Sequence, residues 1–262
     1  MKLEIISKQP NQKTHSTPVL FIHGAWHGAW CWEKFLPYFA AHGYEVHALS
    51  LRGHGNSDGR EGIRWHSAAR GYVEDVAGVI AGMPQPPVLI GHSMGGYVTQ
   101  KYLETHHVPA GVLLASIPVS GILGMLLRFL RRRPWATLKT LFLLNPWYLV
   151  NSPELVKEGF FSEDFPNTEI ERLFPYVQPE SFLAALETTA LALPHPKKVK
   201  TPLLVLAAEN DRVFSMAEER ATARAYHTEA IFFPNMAHDM MLEKDWQKVA
   251  DKILEWLKSQ NL

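Results

Sequence analysis

The sequence predicts an α/β chain built on a mostly parallel central sheet with helices on both faces. Three observations carry that prediction. Short β-rich runs alternate with stretches of helical periodicity along most of the 262 residues, the pattern of strand–helix–strand crossovers. Two runs, Val19-Leu20-Phe21-Ile22 and Leu203-Leu204-Val205-Leu206, are apolar at every position, as strands covered on both faces must be. The alternation then stops between about Val119 and Lys197, where helical spacing continues without a strand-like run.

Strands are expected at Leu3–Ser7, Val19–His23, Tyr44–Ser50, Val88–Gly91, Gly111–Ala115, Leu203–Ala207 and Ala230–Phe233, each bounded by turn residues. Helices are expected at Trp32–Ala41, Ser67–Ile80, Met94–His106, Met216–Tyr226 and Lys244–Leu257. Tyr72, Val76 and Val79 with Ile80 share one face of the second. Within the interruption, Leu123, Leu126, Leu127 and Leu130 have helical spacing, as do Leu138, Leu141 and Phe142, and then Phe182, Leu183 and Leu186. Six prolines from Pro134 to Pro179 cut the segment into short pieces. Residues 1–118 and 198–262 therefore read as a core domain and 119–197 as a helical cap inserted in it. Val108 to Leu127 lacks acidic and basic side chains and is nominally long enough to cross a bilayer. Pro109, Gly111, Pro118, Gly121 and Gly124 interrupt it, so a strand followed by a helix is expected there and no stable membrane insertion.

The charge is balanced, 26 Lys+Arg against 26 Asp+Glu, in a chain that is 47% hydrophobic and 20% charged. Disorder is excluded by that composition, and the missing basic excess argues against a dedicated nucleic-acid binder. Arg128 and Arg131-Arg132-Arg133 could contact an anionic surface, but with no broader basic excess a solvated helix end is the preferred reading. Cys31 is the sole cysteine, which forbids an internal disulfide and a cysteine metal cluster. Glu4 and Lys8 leave no apolar leader at the N-terminus, and a cytoplasmic location is expected.

Gly91-His92-Ser93-Met94-Gly95-Gly96 follows a strand-like run and opens a helix. That context gives an otherwise weak G-x-S-x-G string its meaning. A sharp strand-to-helix turn strains the serine backbone, lifts its hydroxyl clear of the sheet and excludes side chains at the flanking glycines. Ser93 is thus the candidate nucleophile. It needs a base, and His238 is the best placed of the 13 histidines, in a loop after the last strand. The imidazole needs a carboxylate. Asp211, just past Leu203–Ala207, is preferred to Glu209, because the turn must carry the acid over the sheet edge. An oxyanion needs two aimed N–H donors. Met94 follows the nucleophile, and Ala25 lies in the loop after Val19–His23, with Trp26 as the alternative. His23 and His27 are four residues apart but on a strand-to-loop stretch, so no metal site is assigned to them.

Together, His23-Gly24, Arg52-Gly53-His54-Gly55-Asn56-Ser57, Gly91 to Gly96, Asp211 and His238 resemble the α/β-hydrolase-fold serine hydrolases, from about Val19 to Leu257. His23 to Trp32 is similar to the plant methylesterase and hydroxynitrile-lyase branch. Arg52 to Ser57 is more like bacterial esterases, monoacylglycerol lipases and cofactor-free haloperoxidases. Hydroxynitrile lyases of this fold carry threonine at the place of Gly24 and lysine at the place of Asp239, so cyanohydrin cleavage is not expected. Ser93 stands where epoxide hydrolases and haloalkane dehalogenases of the fold have aspartate, which removes both. The resemblance implies a carboxylic-ester hydrolase acting through an acyl-enzyme, with no cofactor; the insertion, rich in Leu, Phe, Trp and Met, points to small to medium apolar acyl or aryl esters, and a monomer or homodimer is expected. Monoacylglycerol lipase-like, C–C hydrolase or perhydrolase chemistry and a receptor with a retained triad are the alternatives. Trp26 and His92 from the core and Met125, Phe129 and Trp147 from the insertion are expected to contact substrate, and the insertion is also rich in residues such as Leu126, Trp135 and Phe160.

Overall fold

The computed structural model describes all 262 residues. Its strands are β1 (Glu4–Lys8), β2 (Val19–Ile22), β3 (Val46–Ser50), β4 (Val88–His92), β5 (Gly111–Leu114), β6 (Leu203–Ala208) and β7 (Ala230–Phe233). They form one sheet in the order β1-β3-β2-β4-β5-β6-β7. Only β1 runs antiparallel, against β3; the other pairings are parallel. The all-apolar runs become interior strands: β2 and β6 are buried at every position. Polar β1 forms an edge. This is an α/β-hydrolase fold.

The α-helices are α1 (Phe35–Ala41), α2 (Val73–Ala81), α3 (Met94–Leu103), α4 (Leu123–Arg132), α5 (Pro134–Leu143), α6 (Pro153–Phe160), α7 (Asn167–Leu173), α8 (Phe182–Leu186), α9 (Met216–Ala225) and α10 (Trp246–Ser259). Five of them, α4 to α8, lie between β5 and β6. Differences from the expected helices are confined to ends. The first begins as a 3-10 turn, Ala29–Trp32, before α1. The second opens with a π turn, Ala68–Tyr72, capped by the Ser67 hydroxyl. At α9 the Ser215–Glu218 capping box supplies the start.

Two of the four arginines are not solvated. Arg128 donates to the Val213 carbonyl at 2.6 Å and to Glu218 at 2.8 Å. Arg133 is 9% exposed. It donates to the carbonyls of Leu149 and Leu155 and pairs with Glu158 at 2.9 Å. Arg128 thus ties α4 to the turn before α9, and Arg133 ties the end of α4 to the 3-10 turn at Pro146–Leu149 and to the first turn of α6. Arg131 and Arg132 are exposed. No helix is long and apolar enough to cross a membrane.

Candidate active site

β4 ends at His92 and α3 begins at Met94, so Ser93 carries the whole reversal. Its φ of 50° and ψ of −114° lie where non-glycine residues are strained. A Cβ on Gly91 would collide with the Gly95 carbonyl, and one on Gly95 with the carbonyls of Ile22 and His23. The close crossing of α3 over the sheet thus requires both glycines.

Ser93, Asp211 and His238 come together. His238 Nε2 lies 2.9 Å from Ser93 Oγ, and His238 Nδ1 lies 2.8 Å from Asp211 Oδ2. The other Asp211 oxygen accepts the N–H groups of Val213 at 2.6 Å and Phe214 at 3.1 Å. The turn after β6 therefore fixes the carboxylate. Glu209 is exposed. The imidazole is buried between the rings of Phe160 and Phe214.

Beneath His238 lies a polar layer that sequence reasoning missed. Asp239, fully buried, accepts from His27 Nε2 at 3.0 Å. Burial opposes the charges on both groups, but each offsets that cost for the other: His27 is raised and Asp239 lowered from their ordinary pKa values. His27 also meets an acceptor at its other ring nitrogen, Nδ1 lying 2.6 Å from the Ala25 carbonyl. His92 donates through Nε2 to the His238 carbonyl at 3.1 Å. Burial and the neighbouring His238 push its pKa down to about 3, so it is neutral. Potential ligand atoms of His92, His238 and Asp239 lie within 4.8 Å of one another. However, His238 spends both ring nitrogens on Ser93 and Asp211, which makes the cluster a scaffold for the imidazole.

The loop after β2 is gripped from the insertion. Trp26 sits at φ 64°, a costly conformation for a bulky residue. Its N–H donates to Glu180 Oε2 at 3.3 Å, and its carbonyl accepts from Gln178 N at 2.9 Å. Glu180 also accepts from His54 Nε2 at 3.1 Å, Tyr72 OH at 2.8 Å and Ser181 N at 2.6 Å. Burial works to raise its pKa, but the His54 charge and these donors prevail and hold it below the usual carboxylate range. The Trp26 N–H is thereby committed. Ala25 N–H has no acceptor within the chain, and Met94 carries the first N–H of α3, which lacks an intrahelical acceptor. The histidine loop is held similarly: Asp239 N donates to the Phe160 carbonyl at 2.9 Å, and Glu243 accepts from Ser162 and Ala237.

A pocket opens over Ser93 and His238. Its lining includes Ala25, Trp26, His92 and Met94 from the core, and Met125, Leu126, Leu149, Phe160 and Phe182 from the insertion. Phe129 and Trp147, expected at substrate, are not in the lining. Phe129 lies one turn beyond Met125 and is buried beneath the Arg133 guanidinium, 5.6 Å from its ring. Trp147 packs partly buried against the core, and the adjacent Pro146 takes the wall position. Trp135 points outward and is 83% exposed.

Comparison with known proteins follows the same lines. Residues 19–252 match the family model described as the alpha/beta hydrolase family. Methylesterase 3 of Arabidopsis thaliana is 39% identical over 80 residues, 30% of each chain. Norfluorocurarine synthase 1 of Strychnos nux-vomica is 33% identical over 98 residues, 37% of this chain and 35% of that one. The matched stretches thus span about a third of these relatives' length. In three dimensions, an esterase from Rhodococcus sp. ECU1013 superposes with a TM-score of 0.73 at 21% identity, covering 98% of this chain and 96% of that one. With its family signature running from β2 into α10, the chain belongs to the alpha/beta hydrolase family.

Proposed function

We propose that the protein is a serine carboxylic-ester hydrolase. The observation that carries this reading is the unbroken hydrogen-bond chain Ser93–His238–Asp211 at the floor of an apolar pocket. With Asp211 ionised, His238 keeps its proton on Nδ1 and presents Nε2 to the Ser93 hydroxyl. Ser93 Oγ attacks the ester carbonyl while His238 takes the hydroxyl proton. The N–H groups of Ala25 and Met94 receive the oxyanion. His238 returns the proton to the leaving alcohol, an acyl group remains on Ser93, and water activated by His238 releases the acid. Glu180 and His27 are positioning residues: one fixes Trp26 and the other the Ala25 carbonyl, so the Ala25 N–H stays aimed.

The lining supports small to medium apolar acyl or aryl esters, because Met125, Leu126, Leu149, Phe160 and Phe182 offer no charge and the one carboxylate in the wall, Glu180, is engaged by Trp26, His54, Tyr72 and Ser181. Cyanohydrin cleavage is disfavoured on steric grounds. A Cβ at Gly24 would stand 2.7 Å from His92 Nδ1, leaving no room for threonine. A p-nitrophenyl ester series from acetate to palmitate tests the reading. Turnover falling off at the longest acyl chains is expected. Activity confined to charged esters, or stoichiometric acylation without turnover, would overturn it; the second outcome would indicate a binding protein that retains the array.

A further inference from the structure

The outer face of α4 and α5 is apolar and uncovered. On α4, Leu123, Leu127 and Leu130 recur at helical spacing and are 54%, 50% and 38% exposed; on α5, Trp135 and Phe142 are 83% and 82% exposed. The two helices pack on each other, and monomeric proteins rarely gather so many exposed apolar side chains without a use. The exposed charge on α4 and α5 has one sign. From Val119 to Pro153 the sequence contains no Asp or Glu. Arg128 and Arg133 are spent on internal carbonyls and acids. Arg131, Arg132 and Lys139 are exposed without an acidic partner, Lys139 lying 4.2 Å above the Tyr148 ring.

We propose that this face docks on an anionic lipid surface, with Trp135, Phe142 and the α4 leucines at the level of the headgroups and Arg131, Arg132 and Lys139 on lipid phosphates. An apolar helix face flanked by cations and exposed tryptophan is the pattern of helices that lie in a membrane interface. A second copy of the chain is a poorer occupant. A twofold contact sets a patch against itself, and here cations would meet cations with no acid between them. Turned away from this face, Met125 of α4 and Thr140 of α5 reach the pocket wall, with Leu126 at the edge between the two. Resting on the ester-hydrolase reading, docking would set the pocket beside apolar esters dissolved in the lipid.

Sedimentation of the full chain with phosphatidylcholine vesicles, with and without phosphatidylserine, tests the docking. The protein is expected to pellet with the phosphatidylserine vesicles and to be released by salt. Arg131→Gln and Arg132→Gln should each weaken binding about 5-fold. Trp135→Ser with Phe142→Ser should abolish it. Each variant should hydrolyse p-nitrophenyl acetate at the wild-type rate, which also reports an intact fold. Wild-type protein left in the supernatant, pelleting indifferent to these substitutions, or a dimer in gel filtration that the Trp135→Ser, Phe142→Ser variant dissociates would each overturn the docking. Sedimentation needs no turnover, so failure of the ester reading would show instead in the p-nitrophenyl acetate rate.

Discussion

Helices α4 and α5 and the segments 160–162 and 178–181 belong to the same stretch of chain between β5 and β6, yet they meet the rest of the molecule in opposite ways. The helices reach the pocket through side chains, among them Met125, Leu126 and Thr140, and bond to the core only where Arg128 meets the Val213 carbonyl and Glu218. The two segments reach the core loops through hydrogen bonds in which at least one partner is backbone: Gln178 and Glu180 hold Trp26, and Phe160 and Ser162 hold the loop of His238. Both parts line the pocket, the segments through Phe160, Glu180 and Ser181, but the segments also fix the backbone of the core loops around Ser93 and His238.

Substitutions can sharpen or break that contrast. Phe129 belongs to the helical part but lies outside the pocket. Phe129→Ala should therefore cost about 3 kcal/mol of stability through a cavity, read as a lowered Tm, while the order of preference among esters stays the same. A changed order would place Phe129 in the substrate-contacting wall after all. Next in size is Glu180→Ala, which should lower kcat by about 30-fold with little change in KM, short of the roughly 10²–10³-fold expected from deleting an oxyanion donor outright. Glu180→Gln should recover part of the loss. A rise in KM with kcat intact would assign Glu180 to substrate binding instead.

Met125→Ala should leave kcat for the acetate ester nearly unchanged and shift preference toward bulkier acyl groups by about 5-fold, measured across the p-nitrophenyl series. The smallest effect concerns Glu219. It is buried with both carboxyl oxygens unpartnered, unlike the saturated Glu180. Burial, with Asp211 and Glu218 nearby, pushes its pKa well above the ordinary carboxyl value. A raised folded-state pKa means stability that is present in acid and lost as pH rises. Glu219→Gln should therefore gain stability on the wild type as pH rises above the ordinary carboxyl range, and equal pH profiles in denaturant melts would refute this.

Much of the framework was legible because local chemistry demanded it. Val19–Ile22 and Leu203–Leu206 could only be interior strands, and Gly91 and Gly95 are imposed by the crossing of α3 over β2. Asp211 could be told from Glu209 by its place past the strand end. Contacts across long chain separations were not legible. Glu180 lies 154 residues from Trp26, in a proline-cut segment with no periodic signal, and nothing local marks it as a buried acid. Phe129 and Trp147 have the composition of pocket residues, but one helical turn or one neighbouring proline turns them away from the pocket. Asp239 stood out only as a departure from the lyase pattern; its partnership with His27 depends on how β2 and the last loop converge.

The central claim is that Ser93 is the nucleophile of an ester hydrolase, activated by His238. Intact-mass analysis after treatment with a fluorophosphonate, run beside p-nitrophenyl acetate turnover, tests it most directly. A single adduct on Ser93 with parallel loss of turnover is expected, together with a rate at least about 10³-fold lower in Ser93→Ala and no labelling in His238→Ala. An adduct on another residue, or undiminished hydrolysis by a folded Ser93→Ala protein, would contradict it.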